Sequence, residues 1–175
     1  GHDLRIRRQD IDERRRDPDG IGRLFQSLAR NTATYASDAT LAADFGPADP
    51  LDEDTVRAYL AALRRLMIVE DQPPWGPRLR SRSRLRGAPK RHFVDPSLAA
   101  AALRLTPARL LEDVGFMGFL FQSLVVRDLR VYSEVADAQV FQYRDNTGLE
   151  ADAIVETGDG RWAAFEVKLG PGQAD

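Results

Sequence analysis

Apolar residues fall at Ile21, Leu24, Phe25 and Leu28, the i, i+3, i+4, i+7 spacing that lines one face of a helix. Ser37 heads a short stretch to Asp44 and is a natural N-cap for a second helix. Gly46-Pro47 and Asp49-Pro50 then break the chain. Asp52 caps a third helix, from about Glu53 to Leu66, whose apolar face is Val56, Tyr59, Leu60, Leu63 and Met67. Strands are predicted at Met67–Glu70 and Arg91–Val94, on either side of a Pro- and Arg-rich stretch. Three helices followed by a hairpin is the order of a winged helix-turn-helix.

The pattern changes near Asp95-Pro96. A helix covers Ser97–Leu103, and Pro107 opens another short one, since proline suits the first helical turn. The strongest helix spans about Phe116–Leu129 and is apolar on nearly every face, which places it against a sheet rather than in water. Strands follow at Gln139–Arg144, Leu149–Val155 and Arg161–Lys168. A buried helix on a three-stranded meander makes an α/β or α+β layer. Two parts are therefore expected, residues 1–95 and 96–175. The chain stops soon after the third strand, which suggests that the sheet is incomplete and that the natural protein continues.

Charge sharpens this division. The net charge of −2 conceals +3 over residues 1–95 and −5 over 96–175. The basic excess is local: Arg78 to Arg91 holds seven positive charges and no acid. Arg78, Arg80, Arg82, Arg84 and Arg86 alternate with Leu79, Ser81, Ser83 and Leu85. In an extended wing all five guanidinium groups would project from one side, ~7 Å apart, a spacing that can follow backbone phosphates. Arg57, Arg64 and Arg65 lie off the core face of the third helix, the element that enters the major groove when such a module binds DNA. The bland alternatives are a solvated loop and a winged helix that docks protein.

Candidate chemistry gathers in the last two strands. Leu149-Glu150-Ala151-Asp152-Ala153-Ile154-Val155 precedes a Gly-Asp-Gly turn, and Trp162 leads to Glu166-Val167-Lys168. If Gly158, Asp159 and Gly160 form a three-residue loop, Asp152 lies opposite Glu166 and Glu150 opposite Lys168, all on one face. A two-residue Asp-Gly turn would send Asp152 to the other face, because a one-residue slip flips every side chain. With the longer loop, Asp152 and Glu166 can hold Mg²⁺ or Mn²⁺ through carboxylate oxygens, and Lys168 can steady a phosphate or an attacking water. Two cross-strand ion pairs at a sheet edge explain the same spacing.

Other classes are excluded or weakened. Without cysteine there is no disulfide framework or thiolate zinc site, which fits a cytoplasmic protein. Two histidines, His2 and His92, are too few for a histidine metal cluster. No stretch reads as a signal peptide, and the longest apolar run, Phe116–Val126, is too short to span a bilayer.

Four segments together resemble one family. They are Lys90-Arg91-His92-Phe93-Val94-Asp95-Pro96-Ser97-Leu98, the helix Gly118-Phe119-Leu120-Phe121-Gln122, Tyr143-Arg144 ahead of Glu150-x-Asp152, and Glu166-Val167-Lys168. In this order and spacing they look like domain of unknown function 4143, the C-terminal region of predicted AAA-type ATPases of bacteria and archaea, over most of residues 20–170. The resemblance implies a winged helix followed by a restriction-endonuclease-like domain of the PD-(D/E)XK type. It implies metal binding by Asp152 and Glu166 and a water-activating or charge-stabilising Lys168. It makes nucleic acid, DNA above all, the expected partner, together with the parent's own ATPase domain. The family's helix often reads Leu-Phe-Glu; here it reads Leu120-Phe121-Gln122, and a glutamine cannot be an anionic ligand or base. Gln122 reads better as a hydrogen-bonded amide. No Gly-x-x-x-x-Gly-Lys-Ser/Thr run occurs, so ATP is expected only in a part of the parent outside this chain. The two expectations are a DNA-binding fragment with a metal-dependent nuclease-like site and an inactive binding or ATPase-docking module.

Overall fold

The structure, a computed structural model, describes residues 18–46, 51–76 and 88–170. The chain is mixed helix and sheet, as its patterning predicts. Helix α1 (Pro18–Arg30) opens with proline in the first turn and buries Leu24 and Leu28. Helix α2 (Asp38–Ala43) is capped by Ser37, whose hydroxyl accepts from the Thr40 amide. Helix α3 (Glu53–Arg65) is capped in the same way by Asp52, which accepts from the Thr55 amide. Strands β1 (Val69–Gln72) and β2 (Lys90–Phe93) pair antiparallel, Val69 with Phe93 and Gln72 with Lys90. Three helices and a two-stranded pair thus follow in the expected order.

Met67 departs from expectation. It was placed on the core face of α3, but it is 77% exposed. The helix has already ended: the Met67 amide donates to the Arg64 carbonyl, and the Ile68 amide reaches back to Leu63. Met67 adopts a left-handed φ of 54°, the usual way to close a helix, which swings its side chain into solvent and delays β1 to Val69.

Asp95 caps α4 (Pro96–Ala102), and α5 (Pro107–Glu112) follows. The long helix α6 (Val114–Val135) extends beyond its predicted ends. It is less enclosed than its composition suggests, since Phe119, Val131, Tyr132 and Val135 are exposed. The core of the helical lobe joins Leu24, Leu41, Val56, Leu60, Val69 and Phe93 to Ala99 and Leu120, so it runs past Asp95 without interruption. A smaller cluster of Val126, Val140 and Ala153 fastens α6 to the second sheet.

That sheet is the antiparallel meander β3 (Ala138–Arg144), β4 (Glu150–Thr157) and β5 (Trp162–Phe165). The register of β4 on β5 follows the longer loop: Glu156 faces Trp162, Ala153 faces Phe165, and the Thr157 amide donates to the Arg161 carbonyl. Gly160 takes a φ of 83°, the left-handed position such a loop requires. The third strand ends at Phe165, not Lys168, because the Val167 amide bonds to the Asp152 side chain instead of to a ladder carbonyl.

The two sheets meet at Gln142. The β3 register shifts between Phe141 and Tyr143, and Gln142 bridges Pro74 in parallel sense. Its amide donates to Pro73, its carbonyl accepts from Trp75, and its side-chain amide donates to Ala88. Two prolines, with no amide hydrogen to offer, suit this outer position. Among the described residues no helix is long and apolar enough to cross a membrane.

Candidate functional site

Asp152 is the centre of the site. It is placed by β4, beside the buried Ala153 and Ile154. Its Oδ1 accepts from Gln122 Nε2 of α6 at 2.8 Å and lies 3.3 Å from Lys90 Nζ of β2. Its Oδ2 accepts from the Val167 amide at 2.9 Å. Three segments distant in sequence therefore converge on one carboxylate. Lys90 is nearly enclosed, with a side chain 5% exposed, and its ammonium also lies over the Tyr35 ring, 5.1 Å from the centroid. Tyr35 donates to Gln142 Oε1, and burial, reinforced by Glu150, pushes its hydroxyl up to about 12.

Glu166 and Lys168, expected to complete this group, pair with each other at 2.7 Å beyond the end of β5. That bond and the charge of Glu166 raise the lysine's pKa; Asp152 contributes less. Glu150 bonds to Arg144 across the strands at 3.0 Å. Among the described residues no three His, Asp or Glu side chains are grouped to hold a metal.

The donor set of Asp152 can be compared with what Mg²⁺ or Mn²⁺ requires. Such an ion needs free carboxylate lone pairs in near-octahedral order at about 2.1 Å. Here Oδ1 already carries an amide donor and an ammonium, Oδ2 carries a backbone donor, and Glu166 is committed to Lys168. Three of the roughly four lone-pair positions of Asp152 thus face protein donors.

Behind Asp152 lies a buried polar chain that sequence reasoning missed. Gln72 Nε2 donates to the carbonyls of Phe141 and Asp152, both at 2.9 Å. Its Oε1 therefore faces His92 Nε2 at 3.0 Å, which assigns the proton to Nε2. His92 Nδ1 then accepts from Ser123 Oγ at 2.9 Å, and Ser123 meets Thr32 at 3.3 Å. Burial, with the charges of Arg130 and Lys90, pushes the His92 pKa down to about 3. The sequence signal was Lys90-Arg91-His92-Phe93 itself, a strand buried at all four positions despite its charges. Such polar residues inside a protein must find partners.

The expected nucleic-acid contacts divide. Arg57 pairs with Asp54 at 2.6 Å and Asp38 at 3.6 Å, and Arg64 pairs with Asp71 at 2.7 Å. Two of the three arginines of α3, Arg57 and Arg64, are thus paired with carboxylates within the protein. Arg78, Arg80, Arg82, Arg84 and Arg86 lie outside the described residues.

The architecture is that of a mixed α/β protein, a helical lobe with a two-stranded pair tied to a three-stranded meander. The chain belongs to the family described as "Domain of unknown function (DUF8612)", which matches residues 7–109. Residues 117–175 match "Domain of unknown function (DUF4143)", which often lies C-terminal to AAA ATPase domains. The second match is narrower than the expected span of residues 20–170, and the run Lys90–Leu98 falls within the first family instead. No curated protein matches the chain, and neither does any solved structure.

Proposed function

We propose that this chain is a nucleic-acid-binding module serving an AAA-type ATPase, and that its nuclease-type sheet binds without cutting. In this reading residues 18–93 act as a winged helix, DNA is the favoured partner, and ATP is handled by a separate part of the parent. The observation that carries the reading is the anchorage at Gln142. Gln142 accepts from the Trp75 amide and donates to the Ala88 carbonyl, and these two residues flank the stretch 77–87, whose sequence holds five arginines and no acid. With Arg57 and Arg64 committed to carboxylates, these five supply the phosphate contacts. The state of Asp152 supports binding without cleavage, since Lys90, Gln122 and Val167 occupy both its oxygens.

The test is fluorescence anisotropy of a labelled DNA over a range of salt, with the parent and Arg80→Ala/Arg82→Ala/Arg84→Ala side by side. Each neutralised phosphate contributes about 0.9 to the slope of log affinity on log salt, so the triple variant should lower that slope by about 3. Plasmid incubated in Mn²⁺ should remain intact. Binding indifferent to salt and to the three changes would remove the nucleic-acid reading. Cleavage by the parent that Lys168→Ala abolishes would restore the nuclease reading, with Asp152 and Glu166 as its metal ligands.

A further inference from the structure

We infer that Lys90 is the resident cation of the Asp152 site: its ammonium closes the carboxylate to divalent metal and turns it into a latch joining β2, α6 and the segment after β5. The inference rests on Asp152 alone and holds whether or not the protein binds nucleic acid. A carboxylate 17% exposed beside the buried Ala153 and Ile154 requires a compensating charge, and Lys90, 5% exposed, supplies it from 62 residues away. Tyr35 covers the ammonium with its ring face, which leaves the charge directed at Oδ1. An ion seated on Oδ1 would lie within about 5 Å of that ammonium, given its short metal–oxygen distance, so like charges would oppose it in a poorly solvated corner. The remaining donors do what a metal does elsewhere. Gln122 Nε2 orients the carboxylate, and Oδ2 fixes the Val167 amide between Glu166 and Lys168. A glutamine at position 122 fits this role, since its amide donates where a carboxylate would repel Asp152.

Removing the lysine charge should therefore create a metal site. Titration with MnCl₂ alone, followed by electron paramagnetic resonance, should show at least tenfold tighter binding to Lys90→Met than to the parent. Adding Asp152→Asn to Lys90→Met should abolish the gain. A folded Lys90→Met with no gain overturns the inference, as does a parent that binds Mn²⁺ at one site lost in Asp152→Asn. If Lys90→Met does not fold, the parent decides: in its amide NMR spectrum Mn²⁺ should leave Val167 and the Gln122 side chain unbroadened, and selective broadening of both refutes the inference. The anisotropy assay measures DNA binding separately, so the failure of one reading is distinguishable from the failure of the other.

Discussion

Acidification should test the buried polar chain through His92. Its imidazole is held neutral between Gln72 and Ser123, with its pKa lowered from 6.5 to about 3. When the chain unfolds, the ring returns to water and to its ordinary pKa. Between those two values the unfolded state binds a proton that the folded state refuses, so stability is full above pH 6.5 and falls as pH drops towards 3. The slope is about 1.4 kcal/mol per pH unit, so moving from pH 7 to pH 5 removes about 2 kcal/mol. For a domain of this size that corresponds to a fall in Tm of roughly 4–8 °C. The window is favourable because Asp52, Asp95, Asp145 and Asp159 have pKa values lowered further from an ordinary 3.8, and so titrate below it. Urea unfolding at pH 7, 6 and 5 measures the loss, and the histidine ring resonances identify its source. Only His2 and His92 contribute such signals. A His92 ring that titrates near 6.5 in the folded protein, or stability that stays level from pH 7 to 5, would refute the argument.

Three substitutions test the remaining local claims. Met67→Gly should raise stability by about 0.5–1 kcal/mol in urea unfolding, because glycine accepts the left-handed φ of 54° and little packing is lost from an exposed side chain. Gln72→Leu should cost about 2–3 kcal/mol in the same assay and should free His92 from its tautomer. It removes the donor that Gln72 gives to the carbonyls of Phe141 and Asp152 and leaves His92 Nε2 without the Gln72 acceptor. Asp52→Ala should cost about 1 kcal/mol by removing the cap of α3, seen as a lower unfolding midpoint, whereas Asp52→Asn should retain most of it.

Local chemistry was the most legible part of this chain. Ser37 and Asp52 announce helix starts because a cap interacts with an amide three residues away. The Gly-Asp-Gly sequence left two registers of β4 on β5 open, and the structure takes that of the longer loop. The end of β5 was hidden because the group that diverts Val167 from the ladder lies 15 residues earlier. Lys90 was counted as one more charge in a basic run, since nothing within that run reveals a carboxylate 62 residues away. The amide expected at position 122 is present, but its partner became visible only once α6 lay across β4. Contacts between distant segments also decide which of the charges that suggested chemistry are already neutralised.

The uninterrupted core has a consequence for how the protein can be divided. Leu24, Leu60 and Phe93 share one apolar cluster with Ala99 and Leu120, while Gln142 holds Trp75 on one side and Ala88 on the other. A chain severed between residues 76 and 88 would yield two pieces, each carrying half of an apolar surface that only the other can cover. Such pieces make a split-protein pair, whose reunion restores the pairing of β1 with β2 and reports that two fused partners have met.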